Sequence, residues 1–299
     1  LSQRNLNNPV VIEAFEKKWG LDQPIHVQYF KYIQNLMRGD MGNSLRTSRP
    51  VFDDIMQYLP ATFELGGFAI TIAAIFGVIF GVISAAKRNT VIDQILRAIS
   101  ITGVSIPLFW FALVMLFIFY YKLDWLPGPG RLSPTLSQPP HATGFFLIDS
   151  ALVGDWKTFW DALQHLILPG IVLAAFSMGL IARTCRSNLL EVLSADYIRT
   201  AKAKGLSEGY ILVRHALGNG LIPVLTVIGL GMGNLLGGMV LAETIFAWPG
   251  IGQYAYQSVT TLDFPAITGV ALLIAVNYVT INLIVDILYG VIDPRVRNK

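Results

Sequence analysis

The sequence predicts an all-α protein, a polytopic membrane bundle with five crossing helices. Three observations carry this. Of the 299 residues, 54% are hydrophobic and only 14% are charged, whereas a soluble domain carries about 25% charged residues. Five stretches, Leu65–Ala86, Ala98–Tyr121, Ala162–Ala182, His215–Ala242 and Phe264–Val285, contain no Asp, Glu, Lys or Arg. Each reaches the roughly 20 residues that span a bilayer as a helix, the form that satisfies its own backbone in lipid. Finally, basic residues alternate between the connections, as five crossings require.

The basic connections are Lys87–Arg97 (Lys87, Arg88, Arg97), Arg183–Arg214 (Arg183, Arg186, Arg199, Lys202, Lys204, Arg214) and the tail from Asp286 (Arg295, Arg297, Lys299). Glu243–Asp263 has no Lys or Arg, and Lys122–Asp161 has only Lys122, Arg131 and Lys157. The basic connections are therefore expected in the cytoplasm and residues 1–60 outside. An outside amino end, together with Leu at position 1, leads to the expectation of a further upstream helix, making six. The expected division is an extracytoplasmic helical segment over residues 1–60 and a transmembrane domain over 61–299, with a cytoplasmic segment at 184–214.

Within residues 1–60, Asn8-Pro9 reads as a helix start. Ile25, Tyr29, Ile33 and Leu36 recur at helical spacing after Pro24, and Gly39 stops that run. Pro50 is expected to begin a third short piece. The connection LPGPGRLSPTLSQPP at 126–140 is too rich in Pro and Gly for a regular element, and Trp125, Trp156 and Trp160 beside it suit a membrane interface. WPGIG at 248–252 reads as a tight outer turn.

Inside the spans, Gly229, Gly233 and Gly237 fall four apart and predict a close-packing face, toward another helix or a second subunit. Pro107 and Pro169 are expected to interrupt their helices. Glu64 and Glu243 sit at outer ends, where long side chains reach toward water. Asn234, Asn277, Asn282 and His165 are the polar exceptions. Interhelical hydrogen bonding is their first expected role, and lining a path is the second. The acid that a proton- or sodium-driven carrier keeps inside its spans is missing.

The sequence also lacks GxxxxGK[ST], HExxH and CxxC, so no nucleotide cradle is offered and no catalytic constellation is found. One cysteine, Cys185, permits no internal disulfide. The chain is read as a non-enzyme that binds no cofactor or metal. Its net charge of +3 reports orientation in the bilayer and does not indicate nucleic-acid binding.

That leaves the charged segment SADYIRTAKAKGLSEGYILVRHALGN between two apolar spans. Ser194 is expected to cap a helix over Ala195–Lys204, with Asp196 in its first turn, Lys202 and Lys204 in its last, and Gly205 at the left-handed stop. Ala201 and Ala203 are expected to offer small surfaces to a partner. Ser207 should cap the next helix.

The segment resembles the cytoplasmic signature of bacterial ABC-importer permeases. That signature is EAA, three residues, Gly, nine residues, I-x-L-P. Arg199-Thr200-Ala201 stand where EAA stands, Gly205 matches the Gly, and His215-Ala216-Leu217-Gly218 follow at the right distance. The likeness is closer to the dipeptide/oligopeptide/nickel branch. It extends over GLDQP (20–24), GDMGNS (39–44), DYIRTAKAKG (196–205), HALGN (215–219), ETIFAWPGIG (243–252), DFPAITG (263–269) and NLIVDILYGVIDPRVR (282–297). Gly218 and Gly220 depart from the Arg and Ala of that branch.

The resemblance implies a type I importer permease of the inner membrane with six helices. Its partners would be a second homologous permease, two cytoplasmic ATPase subunits holding ATP and Mg, and an extracytoplasmic substrate-binding protein. Asp196, Tyr197, Arg199, Thr200, Ala201, Lys202, Ala203, Lys204 and Gly205 would form the helix that couples to an ATPase. Glu243, Phe246, Trp248 and Pro249 would lie near the outer gate and the binding protein. The cargo implied is peptide, with nickel, glutathione or oligosaccharide as alternatives in the same branch. A self-sufficient channel or secondary carrier, and an intramembrane enzyme, are the competing classes.

Overall fold

In the computed structural model the described residues are 23–292, with side chains described except at 234–238, 286, 288, 289, 291 and 292. The expected helix start at Asn8-Pro9 lies outside them. The described residues form helices and connections without a strand; a single bridge between Asn43 and Pro50 closes the turn before the first long helix.

Helix α1, Ile25–Met37, starts after Pro24 and stops before Gly39, whose φ is +80°. Helix α2, Val51–Ala86, runs 36 residues unbroken. Pro50 therefore opens the first span itself and not a separate short piece, and no break falls at residue 60. At 1.5 Å per residue α2 is about 54 Å long, well beyond the roughly 30 Å hydrocarbon core. It is therefore longer than a crossing needs, and Asp53 and Asp54 lie in its first turn, where the helix dipole favours acids.

The second crossing is broken. Helix α3, Val91–Ser105, meets α4, Leu108–Lys122, at a bend of 109° around Ile106-Pro107. Pro107 lacks the N–H that would continue the ladder. Helix α5, Phe146–Leu152, lies in the outer connection. Helix α6, Trp156–Leu193, is continuous through Pro169 over 38 residues. The expected interruption at Pro169 is therefore absent: packing on both sides carries the helix past one lost hydrogen bond, and Pro169, Gly170 and Leu173 are all buried.

Helix α7, Asp196–Ala203, is the short helix of the basic segment. It is followed by α8, Glu208–Gly220, which bends by 53° into α9, Ile222–Ile245. Helix α10, Ile251–Thr260, and helix α11, Phe264–Ile292, complete the chain. Among the described residues three helices are long and apolar enough to cross a membrane, or up to five if each bent pair is one span.

The bundle is built on α2 and α6, which touch through glycines. A Cβ on Gly77 would stand 2.7 Å from Ile181, and one on Gly81 would stand 2.5 Å from Cys185 Cβ and 2.8 Å from the carbonyl of Ala182. Helix α3 reaches α6 the same way, with Gly103 2.7 Å from the Ala175 carbonyl and Gly179 against the Ser100 carbonyl. The Gly229 face of α9 packs on α11 of the same chain, through Val285 at Gly229 and Tyr278 at Gly233. The surroundings of Gly237 lie outside the described side chains.

Replacing Gly81 by leucine therefore drives a side chain into backbone, a cost of about 1–3 kcal/mol for overpacking. The purified G81L protein is expected to melt several degrees below wild type. G67L, at a position with nothing within 4 Å, is expected to melt with wild type. Equal melting of the two variants contradicts the close approach.

Candidate functional site

The basic segment between α6 and α9 carries a short helix fixed in place by its neighbours. Ile198 is fully buried and Ala201 nearly so, in one cluster with Leu189 of α6 and Ile211 and Ala216 of α8. The rest of α7 faces outward: Asp196, Tyr197, Arg199, Thr200, Lys202 and Ala203, followed by Lys204 and Gly205, are exposed. Ala203 offers the small outward surface that was expected, whereas Ala201 does not, because helical geometry turns it inward beside Ile198.

The carboxy end of α7 is closed in the manner the Gly predicts. Gly205 has φ +77°, its N–H donates to the Lys202 carbonyl at 2.9 Å, and the Leu206 N–H donates to the Ala201 carbonyl at 3.4 Å. This is the paired closure of a left-handed cap. Ser194 does not cap α7. It ends α6, where its hydroxyl donates to the Glu191 carbonyl at 2.7 Å, and the position before Asp196 is Ala195. Ser207 does cap the next helix, accepting from the Tyr210 N–H. Asn219 Nδ2 donates to the Tyr197 hydroxyl at 3.0 Å, so the HALGN block braces α7 directly. A Cβ on Gly220 would meet Leu189 at 2.6 Å, while Gly218 faces open space.

Near this knob the ends of α2, α3 and α6 are tied by one carboxylate. Asp93 is 1% exposed. It accepts from Arg186 Nε and Nη2, both at 2.8 Å, from Ser84 Oγ at 2.5 Å, and from the Asn89 N–H at 3.0 Å. The hydrogen bonds from the Arg186 guanidinium hold its carboxyl well below the usual carboxylate range against the opposing effect of burial.

The family model for the binding-protein-dependent transport system inner membrane component matches residues 77–298, which takes in the end of α2 and all that follows it, including the knob and the bent helices just described. The chain belongs to this family. The permease is 48% identical over 286 residues to the "Probable D,D-dipeptide transport system permease protein DdpB" of Escherichia coli (strain K12), covering 96% of this chain and 84% of that protein. It is 47% identical over 292 residues to the "Dipeptide transport system permease protein DppB" of Alkalihalophilus pseudofirmus, covering 97% and 87%. It is also 36% identical over 289 residues to the "Glutathione transport system permease protein GsiC" of Salmonella paratyphi A, covering 97% and 85%. Its fold matches a chain of the MetNI methionine ABC transporter in an inward-facing conformation. The TM-score is 0.59 at 16% identity, covering 78% of this chain and 93% of the other. The permease thus has the type I importer fold of an inner-membrane component.

At the end away from α7 the permease buries the two acids that the sequence places near water. Glu64 accepts from Arg131 Nη2 at 2.6 Å and Nε at 3.1 Å, and from the Leu147 N–H at 2.9 Å. Arg131 also donates to the Gly144 carbonyl at 2.7 Å and lies 3.7 Å over the Phe146 ring. The Pro-rich connection is therefore stapled to α2 by a buried ion pair. Glu243 is fully buried, bonded to Thr62 and to the head of α10. The expectation that Glu64 and Glu243 reach toward solvent is corrected: folded connections cover both, and each has a complete set of donors.

Phe246 and Trp248 are also buried, with Trp248 Nε1 donating to the Ala61 carbonyl at 2.9 Å, and Pro249 is half-buried. A third buried acid, Asp263, accepts from Ser44 Oγ at 2.5 Å and from the Arg46 N–H at 3.2 Å. It also accepts from the Ala266 N–H at 3.4 Å, at the head of α11. Burial pushes its pKa up, but the Ser44 hydroxyl and the backbone donors outweigh that and leave it below the usual value. GDMGNS and DFPAITG, more than 200 residues apart, thus meet through Ser44 and Asp263.

Asn277 lines a crevice with Thr62, Gly66 and Met239. Asn282 is half-buried further along α11, and the side chain of Asn234 lies outside those described. His165 turns back on its own helix, 2.8 Å from the Asp161 carbonyl, instead of bonding across to a neighbour. Among the described residues no group of three or more His, Cys, Asp or Glu is arranged to hold a metal.

Arg186→Ala should strand the Asp93 carboxylate, at a cost of about 3–5 kcal/mol for a broken buried pair. Thermal melting of the purified permease should show a large drop. The double variant D93N/R186M should recover most of it, since neither charge then remains. A melt for R186A equal to wild type would contradict the tie.

Proposed function

We propose that this permease is one of two related membrane subunits of an ATP-driven importer that carries dipeptides or oligopeptides inward. The observation that carries the reading is α7. It is closed at its carboxy end by the Gly205 cap, braced by Asn219, anchored by Ile198 and Ala201, and basic on its outward face. A rigid projecting helix transmits displacement; a floppy loop does not. The energy comes from two cytoplasmic ATPases that grip Tyr197, Arg199, Lys202, Ala203 and Lys204. Nucleotide-driven closure favours one arrangement of the spans over the other, and only such differential binding can shift the equilibrium.

On the outer side a binding protein delivers cargo over the surface built from α1, the Pro-rich connection and the 246–250 turn. Peptide is preferred as cargo because dipeptide permeases stand among the relatives at 42–48% identity, against 36% for the glutathione permease. ATP and Mg belong to the partners, and the permease itself performs no chemistry.

The test is uptake of a labelled dipeptide by vesicles holding the assembled transporter and its binding protein. Gly205→Pro forces a negative φ onto a position at +77°, and Arg199→Glu reverses an outward charge. Both variants should insert and fold, while uptake per ATP hydrolysed falls about tenfold, equivalent to roughly 1.4 kcal/mol of lost coupling. Wild-type stoichiometry in both variants, or uphill uptake by the permease alone, would overturn the reading.

A further inference from the structure

Glu243 is the last charged side chain of α9 before the outer turn, and it has no exposed surface. Among the described residues no Lys, Arg or His forms an ion pair with it. Its partners are polar but uncharged. Thr62 Oγ1 of α2 donates to Oε1 at 2.7 Å, and the Gln253 N–H in the first turn of α10 donates to Oε2 at 3.0 Å. Thr62 accepts in turn from the Ile251 N–H at 2.7 Å. One carboxylate thus closes a three-way junction of α9, α2 and the amino end of α10. The free N–H groups and dipole of that end favour an acceptor.

The intervening turn is shaped around it. A Cβ on Gly250 would collide with the Glu243 carboxylate, and one on Gly252 would lie 2.9 Å from Oε2 and 2.6 Å from Val240 Cα. The glycines of WPGIG are therefore needed for the carboxylate to enter, as well as for the turn itself. Trp248 closes the other side, its N–H donating to the Glu243 carbonyl at 2.8 Å and its ring nitrogen to Ala61. At its far end α10 leads into Asp263, which heads α11 and bonds Ser44.

We propose that Glu243 is a positioning residue for transport: it touches no cargo, and it holds the 246–250 turn and α10 in register with α2 and α9, so that the outer mouth changes shape as one piece. This rests on the importer reading above. The geometry makes a specific demand on the side chain. Gln fits, because its amide oxygen can accept from Gln253 while its amide nitrogen donates to Thr62 Oγ1. Asp keeps the charge but is one methylene too short to reach both partners. A residue acting through its charge, as a proton carrier or an attractor of cationic cargo, would show the opposite order.

The experiment uses the assembled transporter in lipid nanodiscs, with spin labels at Met56 of α2 and Tyr256 of α10, both exposed. Wild type and Glu243→Gln should give one narrow distance, whereas Glu243→Asp and Thr62→Val should give broad distributions. In vesicles the maximal rate of dipeptide uptake should fall on the order of tenfold for Glu243→Asp and Thr62→Val, as misplacement without loss of contact does. It should stay near wild type for Glu243→Gln, with half-saturating cargo unchanged for all. Narrow distances in Glu243→Asp, activity retained by Asp and lost in Gln, or a change confined to half-saturation would each overturn the proposal. The distances require no transport. If the wild type fails to drive uptake, the importer reading falls while the labels still decide whether Glu243 sets the turn.

Discussion

Two helices that touch backbone to backbone hold this molecule together. Lipid offers no hydrophobic drive between apolar helices, so association depends on close packing and on what little polarity is exchanged across the contact. Helices α2 and α6, of 36 and 38 residues, obtain that packing by omitting side chains. Gly77 and Gly81 let α2 settle on Ile181, Ala182 and Cys185, and Gly103 and Gly179 bring α3 onto the same stretch of α6. The remaining elements are positioned from this seam. Leu189, just beyond it on α6, receives Ile198 of the cytoplasmic helix and the backbone of Gly220.

At each end of the seam the polar groups excluded from the lipid are used as ties. On the inner side Asp93 binds three helices through Arg186, Ser84 and the Asn89 backbone. On the outer side Glu64, Glu243 and Asp263 each join segments distant in sequence. Burying an acid is costly unless it finds donors: Glu64 finds them in Arg131 and Leu147, Asp263 in Ser44 and Arg46, and Glu243 in Thr62 of α2 and Gln253 of α10. The Pro-rich segment, the WPGIG turn and the GDMGNS turn are therefore structural parts of the bundle. The chain also keeps two irregularities, the 109° break at Pro107 and the 53° bend at Leu221.

The sequence showed the crossings clearly, because uninterrupted apolar length is a strong signal, and it showed the left-handed stop at Gly205, because glycine chemistry is local. It also placed the break at Pro107. It did not show that α2 begins at Val51, since the outer turns of an over-long helix look like a soluble amphipathic piece. Pro169 misled because packing compensates for one lost hydrogen bond. Ser194 misled because a serine at the junction of two helices can end one as readily as begin the next. The buried acids were hidden for a different reason. Whether Glu64 meets water depends on where Arg131 folds, 67 residues away, and no local pattern encodes that. The spacing of Gly250 and Gly252 behind Glu243 held a usable hint, as did Gly77 and Gly81 in the first span.

The account comes down to a rigid conduit turned from the cytoplasm by a grip on one face of α7. Photocrosslinking from single positions in the assembled transporter tests that most directly, because neighbouring residues of α7 face opposite ways. A probe at Lys202, on the exposed face, should capture an ATPase subunit, with a yield that changes when nucleotide is added; a probe at Ala201, 8% exposed, should capture only α6 or α8. Equal capture from both positions, or capture of lipid alone from Lys202, would contradict it.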